Sequence, residues 1–309
     1  ATDTTRTQPW RRSSWQTMAA VLFLTIYVAL EWLSFIHEYK GVPITPWNPG
    51  LGAVFALMIF AGPVYGAVLF VGVIVSETLV LKTNLQWPVI LGIAAIIAAV
   101  YAGATALARY RFRLDVSLIH LRDVVALLGA GLFGALLTTL MLSIMLVIGT
   151  DLDWADVIIA LVPLLVGDTI GIAVVTPLVL RILHKHPLPS LSGWLALEAA
   201  LYIALIFGSL WIIAGAGPVN GLKFFYLLFV PVVLAALRHG LDGACVALAL
   251  SGLGLVGVSQ FFSASAQTFT EFQILMLVLT TTGLLVGAVV SERERSEEHA
   301  REAERRFKE

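Results

Sequence analysis

The chain has 309 residues, of which 59% are hydrophobic and 13% charged, with a mean hydropathy of +0.92. A soluble domain is nearer half apolar and a quarter charged, so this composition excludes a soluble enzyme and points to an all-α, polytopic integral membrane bundle. The formal net charge of −1 hides a strong asymmetry along the chain, and the lone Cys245, in the apolar stretch GACVALAL, excludes an internal disulfide and a cysteine metal cluster.

The chain opens at Ala1 without an initiator methionine, which suggests a processed or engineered start. Residues 1–16 are polar, and the apolar run after them is long enough to span, so no removable signal peptide is expected. Runs bounded by charge, Pro or Gly predict helices over 17–36, 50–62, 64–82, 87–109, 122–149, 156–183, 193–214, 223–237, 240–259 and 271–291. That is about ten transmembrane helices, or eight if one short hairpin at 50–82 or 223–259 is re-entrant. With this alternation 16 of the 19 Lys and Arg residues fall on the side that holds both termini, against Lys40, Lys82 and Lys223 on the other. The positive-inside rule then makes both termini cytoplasmic. Trp32, Trp47, Trp87, Trp154 and Trp211 fall near the outer interface, as an aromatic belt requires.

Ionisable groups inside a bilayer cost at least ~2.5 kcal/mol each on insertion scales, so each needs a partner or a function. Glu31, Glu77 and Asp168 are predicted at or above the midplane, while Glu198 and Asp242 lie near inner helix ends. Between the first two helices runs HEYKGVPITPWNPG, whose Pro43, Pro46 and Pro49 forbid a continuous helix and whose Trp47 and Asn48 make a polar and aromatic corner. Two readings remain open. Either the acids satisfy groups inside the bundle and the loop is only a turn, or the region is an outward-facing pocket. The segments 61–72 and 238–252 share a helix, Gly-turn, Gly-Ala-helix pattern that hints at a parallel internal repeat.

Other candidates carry less. His184 and His186 lack the further ligands zinc needs, and His37 beside Glu38 has no second intramembrane His for haem. No metal site and no cofactor is expected. Arg109, Arg111 and Arg113 with the following LDVSLIHLRDVV form a basic amphipathic run expected to lie on the inner leaflet. No phosphate-binding loop, catalytic elbow, HExxH or nucleic-acid module is present, so a nucleic acid partner is not expected.

After the last apolar run, SERERSEEHAREAERRFKE has no Gly or Pro and alternates acids with Arg at helical spacing, so the helix is expected to continue into the cytoplasm. Ser296, Ala300, Ala303 and Phe307 form a weak heptad seam, which points to a homodimer. Gly283 and Gly287 allow a close neighbour that can shift against this helix.

Several short motifs resemble the first membrane-associated sensor (MASE) family. They are Trp47-Asn48-Pro49-Gly50-Leu51-Gly52 opening a short helix, Gly66-Ala67 to Gly72 in the next, and Gly167-Asp168-Thr169-Ile170-Gly171 followed by Thr176-Pro177-Leu178. The terminal Glu304-Arg305-Arg306-Phe307-Lys308-Glu309 resembles the start of a PAS domain. Asn48 stands where the family commonly has a second proline, and Glu77 where it has an amide. The resemblance implies an integral-membrane input domain of bacterial histidine kinases and diguanylate cyclases. It divides the chain into a cytoplasmic N-terminal segment (1–16), a membrane sensor domain (17–291) and a coiled-coil-like linker (292–309) to a missing PAS, kinase or cyclase output domain.

The expected function is therefore detection of an unknown small ligand or membrane-phase molecule near Glu31, Trp47, Asn48, Glu77, Asp168 and Thr169. Transmission is expected through Gly283, Gly287, Ser296, Ala300, Ala303 and Phe307 of the last helix, in a bacterial inner membrane. This segment carries no catalytic constellation of its own. The alternative is a secondary transporter or substrate-binding membrane subunit, supported by the short helices and the repeat pattern.

Overall fold

The computed structural model describes residues 9–35, 37–39, 42–44, 47–83, 85–150, 153–184, 193–261 and 266–308. The predicted His186 and Lys185, and the first eight residues, lie outside this set. The chain forms α1 (Pro9–Ser34), a hairpin of β1 (His37–Tyr39) and β2 (Val42–Ile44), α2 (Pro49–Ala61) and α3 (Gly66–Val75). There follow α4 (Trp87–Ala106), α5 (Leu121–Gly149), α6 (Trp154–His184), α7 (Gly193–Gly215), α8 (Gly217–Phe224), α9 (Phe229–Phe261) and α10 (Ala266–Lys308). Among the described residues eight helices are long and apolar enough to cross a membrane. The all-α polytopic bundle expected from composition is the fold, with helices α1 and α10 starting several residues earlier than the hydropathy runs.

One of those eight spans, Asn220–Val258, is bent double. Gly240 has φ 59 and ψ −142, a conformation open to glycine and strained for any other residue. Gly243 consequently lies against the Ala235 carbonyl, whereas residues eight apart in a straight helix are about 12 Å distant. Val232 on the first leg and Leu248 on the second both lie against Gly283 of α10, and Gly240, Leu241 and Ala244 lie against Gly287. The predicted 223–237 and 240–259 helices are therefore two antiparallel legs clasping α10. The glycines of α10 are filled by α9 of the same chain.

The other short helix is internal. Asn48 caps α2 by accepting from Leu51 N at 2.9 Å, and Pro49 occupies the first turn, where its missing N–H costs nothing. Every residue from Pro49 to Ile59 is buried. Thirteen residues give about 20 Å, short of a ~30 Å hydrocarbon core. At the far end Arg109 donates to the carbonyls of Ile59 (2.6 Å) and Phe60 (3.1 Å), satisfying orphan groups of the last turn. Gly62, at φ 128, then turns the chain into α3.

The stretch after Arg113 is irregular until α5 begins at Leu121. Residues 112–120 form a folded loop in which Leu114 and Leu118 are buried, because Asp115 accepts from Ser117 N at 2.9 Å and makes a turn. That backbone hydrogen bond holds the Asp115 carboxyl below its ordinary range. Arg181 of α6 secures the loop from above, donating to the Ser117 carbonyl at 2.9 Å and pairing in a bidentate fork with Asp242 at 2.5 and 3.0 Å. Arg181→Met alone should destabilise by about 3 kcal/mol, since it removes the bidentate partner of a partly buried carboxylate, while Arg181→Met with Asp242→Leu should recover much of the loss. Thermal unfolding of the detergent-solubilised protein checks both.

Candidate functional site

Asp168 sits midway along α6 and is 3% exposed. Its Oδ1 accepts from Asn48 Nδ2 at 3.0 Å, and its Oδ2 accepts from Tyr101 OH at 2.5 Å. Asn48 serves three roles at once. Its amide nitrogen holds Asp168, its Oδ1 caps α2, and its backbone N–H donates to Gly167 O at 3.0 Å. A polar side chain so deep in an apolar bundle is tolerated when each of its groups is paired in this way.

The close approach of α2 and α6 depends on glycine. A Cβ at Gly171 would come within 1.9 Å of Asn48 O, and one at Gly52 within 2.2 Å of Gly171 O. Thr176 Oγ1 donates to Gly52 O at 2.8 Å, a bridge between the two backbones. The Gly-Asp-Thr-Ile-Gly stretch of α6 is thus a docking groove for the start of α2. Thr169, expected in the site, instead turns its hydroxyl back to Leu165 O at 2.8 Å.

Two aromatic residues escaped sequence reasoning. Tyr101 lies fully buried on α4, edge-on to Phe55, and Tyr27 of α1 packs its ring against Gly50 and Gly72. Tyr27 hydrogen-bonds Glu31, one turn further along α1. Three buried carboxyl groups and two buried phenols therefore lie on α1, the turn after α3, α4 and α6. Glu77 lies in a widened π-turn, Ser76–Val80, that follows α3, and its Oε2 accepts from Thr83 Oγ1 at 2.8 Å. The signal for these tyrosines was present only as amphiphilic residues in apolar runs, which hydropathy treats as lining or belt.

Around this cluster several buried polar atoms have no partner among the described residues: Trp47 Nε1, Ser34 Oγ, and Ser76 Oγ beside Glu77. Trp47 also faces the far half of the bundle. A Cβ at Gly252, on the second leg of α9, would sit 3.2 Å from Trp47 Cζ3 and 3.3 Å from Met276 Cε of α10. On the membrane side an apolar groove of about 530 Å3 runs between α1 and the end of α3, lined by Leu24, Val28, Trp32, Val75 and Leu79. Glu31 and Glu77 belong to the same two segments but are 7% exposed.

α10 leaves the bundle through a fixed collar. Ser291 Oγ accepts from Leu241 N at 2.9 Å, next to the fold of α9. Glu292 accepts from Leu121 N at 3.2 Å at the start of α5, with His120 Nδ1 3.5 Å from its other oxygen. Just beyond this collar Glu294, Arg295 and Glu298 still line a cavity against α7 and α9, while Ser296, Ala300 and Ala303 are exposed, with Phe307 in the last turn of the helix. Among the described residues no group of three or more His, Cys, Asp or Glu is placed to hold a metal ion.

Compared with protein families, residues 15–294 match the MASE1 model, nearly the whole chain. No curated protein and no solved structure matches it.

Proposed function

The chain belongs to the MASE1 family of membrane-associated sensor domains, and from that premise we propose that it detects a small, hydrogen-bonding molecule at the Asp168 cluster and reports it through α10. The protein is a multi-pass membrane sensor domain. The observation that carries it is the pairing of Asp168 with Asn48 beside Trp47, which reaches α9 and α10. A ligand that takes Oδ1 of Asp168 frees Asn48, loosens the cap of α2 and shifts Trp47, whereas one that takes Oδ2 releases Tyr101. The shift is then felt where Gly252 and Met276 meet. The groove between α1 and α3 offers a membrane-phase molecule a lateral approach to Glu31 and Glu77.

The output side of the proposal follows from α10. Its collar at Ser291 and Glu292 lies at the same end as Arg109 and Arg181, the end that the distribution of basic residues assigns to the cytoplasm of a bacterial inner membrane. The exposed small residues of the rod suit a second copy, making a homodimer whose rods drive a fused kinase or cyclase. In that arrangement the domains are the N-terminal segment 1–16, the sensor 17–291 and the linker 292–309.

A transporter is the second reading, favoured by the positive-φ glycines Gly62 and Gly240, each of which turns one helical segment into the next. Reconstitution decides. Liposomes carrying the protein should show no uptake of amino acids, sugars or organic anions above empty vesicles, while a cyclase fused after Glu309 should respond to membrane extracts or small-molecule pools. Saturable uptake with an indifferent cyclase would favour transport.

A further inference from the structure

A second cavity, of about 700 Å3, lies between α7, the fold of α9 and the exit of α10. One wall is apolar, with Ile203, Ile206, Val246 and Leu250, and the floor is charged. The two parts meet near Ser291, which directly follows the apolar Val289 and Val290 of α10. That is the depth at which acyl chains give way to headgroups. Ile203 and Val246 are 43% and 50% exposed, so the apolar wall faces the lipid.

The charges of the floor select the headgroup. Arg181, Arg238 and Arg295 face Asp242, Glu294 and Glu298, three of each sign. Arg181 is committed to Asp242 and the Ser117 carbonyl. Arg238 leans on Glu198 at 3.3 Å but is exposed, and Arg295 is half-buried on the cavity side of α10. An anionic headgroup would meet as many carboxylates as arginines. A headgroup that carries both a phosphate and an ammonium group matches the floor.

We propose that this cavity binds a phospholipid with a zwitterionic, primary-ammonium headgroup. Its phosphate is held by Arg238 and Arg295, its ammonium by Glu294 and Glu298, and one acyl chain lies along Ile203, Val246 and Leu250. A primary ammonium donates hydrogen bonds to carboxylates, which a trimethylammonium cannot do. Bound there, the lipid joins α7 to the base of α10, a contact separate from the Asp168 cluster.

The test reconstitutes the protein in nanodiscs with equal parts of dioleoyl phosphatidylethanolamine, phosphatidylcholine and phosphatidylglycerol, then weighs detergent-released protein by native mass spectrometry. Phosphatidylethanolamine should be retained in preference to the other two. Arg295→Gln should lower that retention about fivefold, the equivalent of ~1 kcal/mol for one basic group at a membrane surface. Arg293→Gln, whose arginine pairs with Glu297 instead, should leave it unchanged. Val246→Trp, which fills the apolar wall, should also reduce retention at an unchanged melting temperature. Equal retention of all three lipids, preference for phosphatidylglycerol, or equal loss in the two arginine variants would overturn the proposal. So would displacement of the lipid by free glycerophosphoethanolamine, which would identify a soluble ligand instead.

Discussion

Asp168→Leu should destabilise the protein by about 2 to 6 kcal/mol, because it strands two donors, the half-buried Asn48 Nδ2 and the buried Tyr101 OH, at ~1 to 3 kcal/mol each. The leucine adds apolar volume but cannot reach either donor. Asp168→Asn has a smaller expected cost, since its carbonyl keeps one of the two bonds and its amide faces the other donor. The pair separates folding from response. Asp168→Leu should fail to accumulate as a monodisperse, thermally cooperative species in detergent. Asp168→Asn should accumulate and melt a few degrees lower, while a cyclase fused after Glu309 should lose its ligand-dependent range. An Asn variant with wild-type response would make Asp168 a structural residue only.

Gly171→Ala should be nearly as damaging, by about 3 kcal/mol, at the upper end of overpacking costs. The added methyl would meet the Asn48 carbonyl, a backbone atom that cannot rotate away. Relief requires α2 to separate from α6, which breaks the Asn48 to Asp168 bond and the Thr176 bridge to Gly52 together. Gly103→Ala, where nothing lies within reach of a new Cβ, is the matched control and should leave the melting temperature within a degree or two of wild type. Fluorescence-detected size exclusion across a temperature ramp measures both. Equal melting temperatures for the two variants would show that the α2–α6 contact is not as close as described.

How far the sequence revealed this arrangement depended on the range of the interaction. Helix positions were legible because apolar length and charge spacing are local properties, and the break at Gly240 was marked by the charged, glycine-rich RHGLDG between two apolar runs. Asp168, Glu31 and Glu77 were legible as costs, since an acid in a bilayer demands an explanation. Their partners were not. Tyr101 is 67 positions from Asp168 and Asn48 is 120 away, and no periodicity links residues on different helices. Thr169 was grouped with Asp168 by adjacency alone, yet neighbours on a helix point about 100° apart, and its hydroxyl turns back to its own helix. Arg181 was counted only as a positive charge on one side, whereas its geometry makes it the clamp between α6, α9 and the loop at Ser117. The buried Leu114 and Leu118 within the basic run that begins at Arg109 were not legible, because the turn at Asp115 that folds them inward is set by contacts across the loop.

In the proposed mechanism a change at Asp168 passes through α10 as a rotation or shift of one helix, and insertions after Ser296 test this most directly. Two added residues turn everything downstream by about 200°, whereas seven return the same face to within about 20°. With a cyclase fused after Glu309 and expression matched by immunoblot, the two-residue insertion should invert or abolish ligand-dependent output, and the seven-residue insertion should retain it. Identical output from both, across the full range of ligand, would contradict the account.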